Sequence, residues 1–111
     1  MENVRLPTGG TGALAVHDGK IAAVGSRVDT APGVPRIDGR GWLALPAAID
    51  WHVHFRDPGA PHKETLWTGS RAAVKGGVAT CGDMPNTSPA TTTVRALEEK
   101  LARAQGCPAD L

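Results

Sequence analysis

Tyrosine is absent, phenylalanine occurs once and tryptophan three times. Aromatic side chains make up only 4% of the 111 residues, too few for a base-stacking platform of the kind that binds single-stranded nucleic acid. An excess of one charge is missing too: 12 basic against 11 acidic residues leave a net charge of +1. That balance gives no electrostatic case for a nucleic-acid or anionic-membrane partner. Cysteine is scarce. Cys81 and Cys107 form no CxxC pair and no disulfide framework, which fits a reducing compartment. The opening "MENVRLPTGGTG" lacks the charged-then-apolar layout of a signal peptide. No apolar run approaches the roughly 18 residues that span a bilayer. The expectation is a soluble, cytoplasmic protein. At 41% hydrophobic and 21% charged, the chain should fold, at a length suited to one small domain.

Hydrophobic patterning divides the chain in two. Residues 13 to 25, "ALAVHDGKIAAVG", read as a β-hairpin, because two short apolar runs flank Asp18-Gly19, a favoured two-residue turn. Residues 26 to 41 are rich in Gly, Pro and Asp and read as loop, with at most a short strand near Val34 to Ile37. Pro46 splits the next apolar run into strands over 42 to 45 and 48 to 55. Residues 64 to 76 look helical, with Glu64 at the start, Lys75 in the last turn and Gly76-Gly77 as the stop. "GVATCGDMPN" is a short strand running into a turn. "TTTVRALEEKLARAQG" follows as a second helix: Val94, Leu97, Leu101 and Ala104 form one stripe, a threonine of the 91 to 93 run caps it, and Glu99 with Arg103 makes an i,i+4 pair. Strand, helix, strand, helix implies a parallel α/β sheet. A third strand is expected near "CPADL". Two βα units cannot close a sheet, so the expected fold is the start of a larger barrel, left with unpaired strand edges and low stability in isolation.

The chemistry concentrates in "IDWHVHFRDPG", residues 49 to 59. Strand alternation puts Asp50, His52, His54 and Arg56 on one face and Trp51, Val53 and Phe55 on the other. An apolar face opposite a face of Asp, His, His and Arg suits a barrel strand near its C-terminal mouth, where (β/α)8 active sites lie. Two imidazoles on one face are good zinc ligands, although an isolated HxH is also compatible with an exposed or core-satisfied pair. His17, before the hairpin turn, reads as surface. His62, in the loop after the strand, is either solvated or near the site. Cys81 reads as a packed apolar residue, and Cys107 has no base beside it. The second segment, "DMPNT" at 83 to 87, lies past the next strand. Asn86 there offers one acceptor and two donors, suited to a carboxylate or amide. A plain Asx turn explains the same residues.

Three segments, "LPAAIDWHVHFRDPG", "HKETLWTGSRAAVKGGVAT" and "DMPNTSP", resemble in order and spacing the N-terminal part of class I dihydroorotases of the amidohydrolase superfamily. The resemblance runs from about Leu45 to Pro89, with a fainter match in the hairpin, where such enzymes begin a small β-sandwich domain. HxH is shared across the superfamily; HxHFRDPG, KExxxTGSRAAxxGG and MPNT together are far more specific. The resemblance implies a TIM-like (β/α)8 barrel over residues 47 to 111 and beyond, preceded at 1 to 46 by part of the β-sandwich. It implies one or two Zn2+ ions, with His52 and His54 as metal ligands and His54, Arg56 and Asn86 as substrate-binding positions. The implied reaction is reversible hydrolysis of (S)-dihydroorotate to N-carbamoyl-L-aspartate in pyrimidine biosynthesis. Ala47 departs from the glycine usual after Pro46, and "VATCGDMPN" departs from a more usual Thr-Thr segment. Length departs most. The remaining metal ligands and the catalytic base are expected downstream of residue 111, so these residues alone are expected to be inactive. Allantoinase, or another cyclic-amide hydrolase, is the nearest alternative. A non-catalytic dihydroorotase-like subunit of aspartate transcarbamoylase is another, although it would have no need of both histidines. The expected partners are a small-molecule substrate, aspartate transcarbamoylase and further copies of the chain, with no nucleic acid and no membrane.

Overall fold

The computed structural model describes residues 1–111 and divides them into two compact units, Met1–Pro46 and Ala47–Leu111. In the first unit, β1 (Val4–Arg5), β2 (Thr11–His17) and β3 (Lys20–Gly25) form an antiparallel sheet in the order β1-β2-β3. The Asp18-Gly19 turn closes the β2–β3 hairpin with both residues at positive φ, 49° and 72°, the backbone that matches the twist of the flanking strands. The segment after the hairpin departs from expectation. No strand forms over 34 to 37 or 42 to 45. Isolated parallel bridges instead join Asp38 to Glu2 and Leu43 to Arg5. Arg5 N–H donates to Trp42 O and Ala44 N–H to Arg5 O, both at 2.9 Å. These partners lie more than 35 residues away, so no local periodicity reports them.

In the second unit, β4 (Ala48–Val53) and β5 (Val78–Asp83) pair in parallel, joined through α1 (Leu66–Lys75), and α2 (Val94–Ala104) follows. Parallel neighbours require such a crossover. The Thr65 hydroxyl caps α1 by accepting from Thr68 N–H at 3.1 Å, while Thr65 N–H donates back to the Thr68 hydroxyl at 2.9 Å. This capping box starts the helix at Leu66, so Glu64 lies ahead of the cap rather than in the first turn. Gly77, at φ +84°, turns the chain away after Lys75. Thr93 caps α2 by accepting from Ala96 N–H at 3.2 Å.

The core of this unit is Phe55, Leu66 and Cys81, with Val53, Ala73, Val78, Ala104, Cys107 and Leu111 packed against it. Of the expected α2 stripe only Ala104 joins this core; Val94, Leu97 and Leu101 are exposed. Near residue 110 the chain begins a third parallel alignment: Asp110 N–H donates to Ala79 O at 2.9 Å and Cys81 N–H to Asp110 O at 2.8 Å. The architecture is mixed α/β, with a small antiparallel sheet and a parallel sheet crossed by helices. No helix is long and apolar enough to cross a membrane.

Candidate functional site

Because β4 and β5 run in parallel, the loops that follow them open at the same end of the sheet. The last register pair is Val53 with Asp83, and Met84 N–H donates to Val53 O at 2.9 Å. β4 therefore ends two residues earlier than expected, which places His54 and Arg56 in the loop at its C-terminal end, facing the 84 to 91 loop. Alternation still brings the imidazoles together: the His52 and His54 ring centroids lie 5.1 Å apart, edge to face at 62°. Asp50 turns back instead, its Oδ1 accepting from His52 N–H at 3.0 Å. On the opposite face Phe55 and Val53 enter the core. Trp51 does not, remaining 72% exposed with its ring edge against Gly82, where an added Cβ would lie 3.0 Å from Trp51 Cε3.

The two loops are tied at several points. Asn86 Oδ1 stands 2.8 Å from His54 Nδ1. With Oδ1 turned to the imidazole, Nδ2 keeps two donors for another acceptor. Ser88 N–H donates to Pro58 O at 3.1 Å. Gly59 makes that approach possible: its φ is +121°, and a Cβ there would lie 2.9 Å from Ser88 Cβ. The Asp83 carboxylate accepts from Phe55 N–H at 2.9 Å through Oδ1. Its Oδ2 receives no aligned hydrogen bond, yet Lys100 Nζ lies 2.6 Å away. We assign the contact to charge rather than to a directed bond. Lys100 also donates to Met84 O at 3.4 Å. Arg103 donates to the largely buried Asp57 at 3.2 Å. Arg103 thus serves the FRDPG loop instead of Glu99, which pairs with Arg95 at 3.6 Å.

Asp57, Asp83 and Lys100, which support the site, went unmarked in the sequence. The available signal was a lysine within a helical stripe, one residue before Leu101, an aspartate ending β5 and another in the turn after β4. Burial pushes the Cys81 thiol up from its ordinary pKa, and the negative charges of Asp50 and Asp83 add to the effect. Arg56 is exposed and enters none of the ion pairs of the chain. His17 and His62 are exposed, and His17 lies 3.4 Å from Asp18.

The donor set meets part of the demand of zinc. His52 and His54 supply two nitrogen ligands close together, with the Nε2 of His54 opposite the nitrogen facing Asn86. No group of three or more His, Cys, Asp or Glu gathers anywhere in the chain. A tetrahedral site takes four ligands, so these residues fit two positions of it.

A profile of the family described as Dihydro-orotase-like matches residues 41–108. The chain belongs to the dihydro-orotase-like family. A dihydroorotase of Methanosarcina mazei is 47% identical over 92 residues, covering 83% of this chain and 20% of that protein. One of Methanothermobacter thermautotrophicus is 43% identical over 102 residues, covering 91% and 23%. One of Pelotomaculum thermopropionicum is 51% identical over 74 residues, covering 67% and 17%. The chain thus spans about a fifth of the length of the curated dihydroorotases it matches. The matched stretch contains both loops of the site.

Proposed function

We propose that this chain forms the opening part of a dihydroorotase: the first βα units of a (β/α)8 barrel, after strands of a small β-sandwich within residues 1 to 46. The observation that carries the proposal is the convergence of His52, His54 and Asn86 at the C-terminal ends of two adjacent parallel strands, the end at which barrel active sites lie. The proposed reaction is reversible hydrolytic opening of dihydroorotate to N-carbamoyl-L-aspartate, a step of pyrimidine biosynthesis in the cytoplasm. His52 and His54 hold zinc. When bound, that ion lowers the pKa of water to about 7 and polarises a carbonyl. Arg56 grips the substrate carboxylate with its planar fork, the free Nδ2 of Asn86 donates to the same carboxylate, and His54 borders the bound ring. Together they hold the ring in one orientation. Further metal ligands and the base belong to the rest of the barrel. Aspartate transcarbamoylase and further copies of the chain are proposed partners.

A graft tests the proposal. Residues 41–108 replace the matching segment of the Methanosarcina mazei dihydroorotase. The expected chimera opens dihydroorotate and not allantoin, and loses activity and zinc together on His52→Ala. A folded, zinc-loaded chimera without dihydroorotate turnover sinks the assignment. Turnover of allantoin instead transfers it to allantoinase chemistry.

A further inference from the structure

The contact between His54 and Asn86 spans 32 residues of sequence and joins the loops after β4 and β5. Asn86 Oδ1 lies 2.8 Å from His54 Nδ1. A carboxamide oxygen only accepts, so the contact is a hydrogen bond only when Nδ1 carries the proton. In the neutral ring the lone pair then sits on Nε2, the atom on the far side from Asn86. A ring without such a partner exchanges between both tautomers, and the Nε2–H form offers no lone pair at Nε2. A ligating histidine commonly has its second nitrogen fixed in this way by an acceptor outside the ligand set.

We propose that Asn86 is a positioning residue for the metal site: it holds His54 in the Nδ1–H tautomer and presents Nε2 as the ligand atom. This rests on the assignment of His54 as a metal ligand. It goes beyond a substrate contact at Asn86, because the amide then acts before any substrate is bound. Both roles fit one side chain, since Oδ1 serves His54 and Nδ2 serves the carboxylate.

The test uses the 111-residue chain labelled with 15N in its histidines. Long-range 1H–15N correlation, without metal and at alkaline pH, reads the tautomer of the neutral ring. The wild-type chain and Asn86→Asp, which keeps an acceptor oxygen, should show His54 as Nδ1–H alone. Asn86→Leu should show a mixture. Competition of Zn2+ against a chromogenic chelator should give roughly 10- to 100-fold weaker binding for Asn86→Leu and no weakening for Asn86→Asp. A mixed or Nε2–H tautomer in the wild-type chain overturns the proposal whatever the variants do. Unchanged zinc affinity in Asn86→Leu, with affinity lost in His54→Ala, also overturns it and leaves the metal assignment standing. Unchanged affinity in His54→Ala overturns the metal assignment itself.

Discussion

Gly69 sets helix propensity against packing. It lies inside α1, where alanine would ordinarily gain about 1 kcal/mol. A Cβ there would meet Phe55 Cδ1 and Cε1 at 2.4 Å, and forced overpacking costs about 1–3 kcal/mol. The clash wins because Phe55 is buried in the core of the unit and has little room to move. Gly69→Ala should therefore lower the urea midpoint, and a raised midpoint would show that the ring yields. Cys81 ties stability to pH. Its thiol pKa is raised by burial and then by Asp50 and Asp83, so the folded state keeps a proton that the unfolded chain releases first. That contribution is complete below the unfolded value of about 8.5 and is lost as pH rises through the folded value. Denaturant midpoints should hold up to about pH 8.5 and fall above it, and Cys81→Ala should flatten the fall. Arg56→Lys separates the two proposed jobs of its loop. Zinc binding to His52 and His54 should persist, while dihydroorotate KM in the chimera should rise, because lysine lacks the fork. An unchanged KM would remove Arg56 from the grip. At this scale the nearness of His52 and His54 is legible, since i and i+2 share a strand face. The turn of Asp50 back onto His52 N–H is not; it falls where the β4–β5 register shifts between Asp50 and Val53, which strand alternation does not report.

Elements are positioned here by charges that a helical wheel treats as surface. Lys100 and Asp83 are 10% and 6% exposed at their side chains and lie 2.6 Å apart, fastening α2 to the end of β5. Removing one partner of a buried pair costs about 3–5 kcal/mol, since the remaining charge stays unpaired in a dry environment. Lys100→Met keeps the apolar stem and should lose an amount of this order in chemical denaturation. Adding Asp83→Asn should recover part of it: the amide oxygen still accepts from Phe55 N–H, and no charge is stranded. If the single and double variants are equally unstable, the charge is not what holds α2. Arg103 differs. Its side chain is 56% exposed, and a solvated pair is worth about 0–1 kcal/mol, so Arg103→Ala should barely move the midpoint. The expected pair of Glu99 with Arg103 does not form, and Glu99 meets Arg95, four residues before it, instead. The choice falls to Asp57, which lies 46 residues from Arg103. Helix caps are legible to within a residue or two, because Thr65 and Thr93 act locally. The seating of α2 is not, because Lys100 lies in the helix for an aspartate on another element.

Across the whole molecule, local signals and distant pairings part company. The Asp-Gly hairpin and the strand-helix-strand order are legible because a turn dipeptide and a change of hydrophobic period carry them. Residues 34 to 45 are not, because they bridge to residues 2 to 5 at the other end of their unit. The burial pattern leads to the last expectation. Buried apolar residues amount to Val4, Ala13, Phe55, Leu66, Cys81 and Ala109, while Ile49, Trp51, Leu97 and Leu101 remain about half exposed or more. Burial supplies the main favourable term in folding, and it must offset a conformational entropy of about 1–2 kcal/mol per backbone residue. A chain of two small compact units with this much uncovered apolar surface should unfold over a broad thermal range. It should also raise the fluorescence of a hydrophobic dye while still folded. If these faces pack against the rest of the proposed barrel, the transition should sharpen and dye binding should fall in the chimera. A steep transition of the 111-residue monomer, with no dye response, would mean that Ile49, Trp51, Leu97 and Leu101 are covered in solution by a rearrangement of the chain itself.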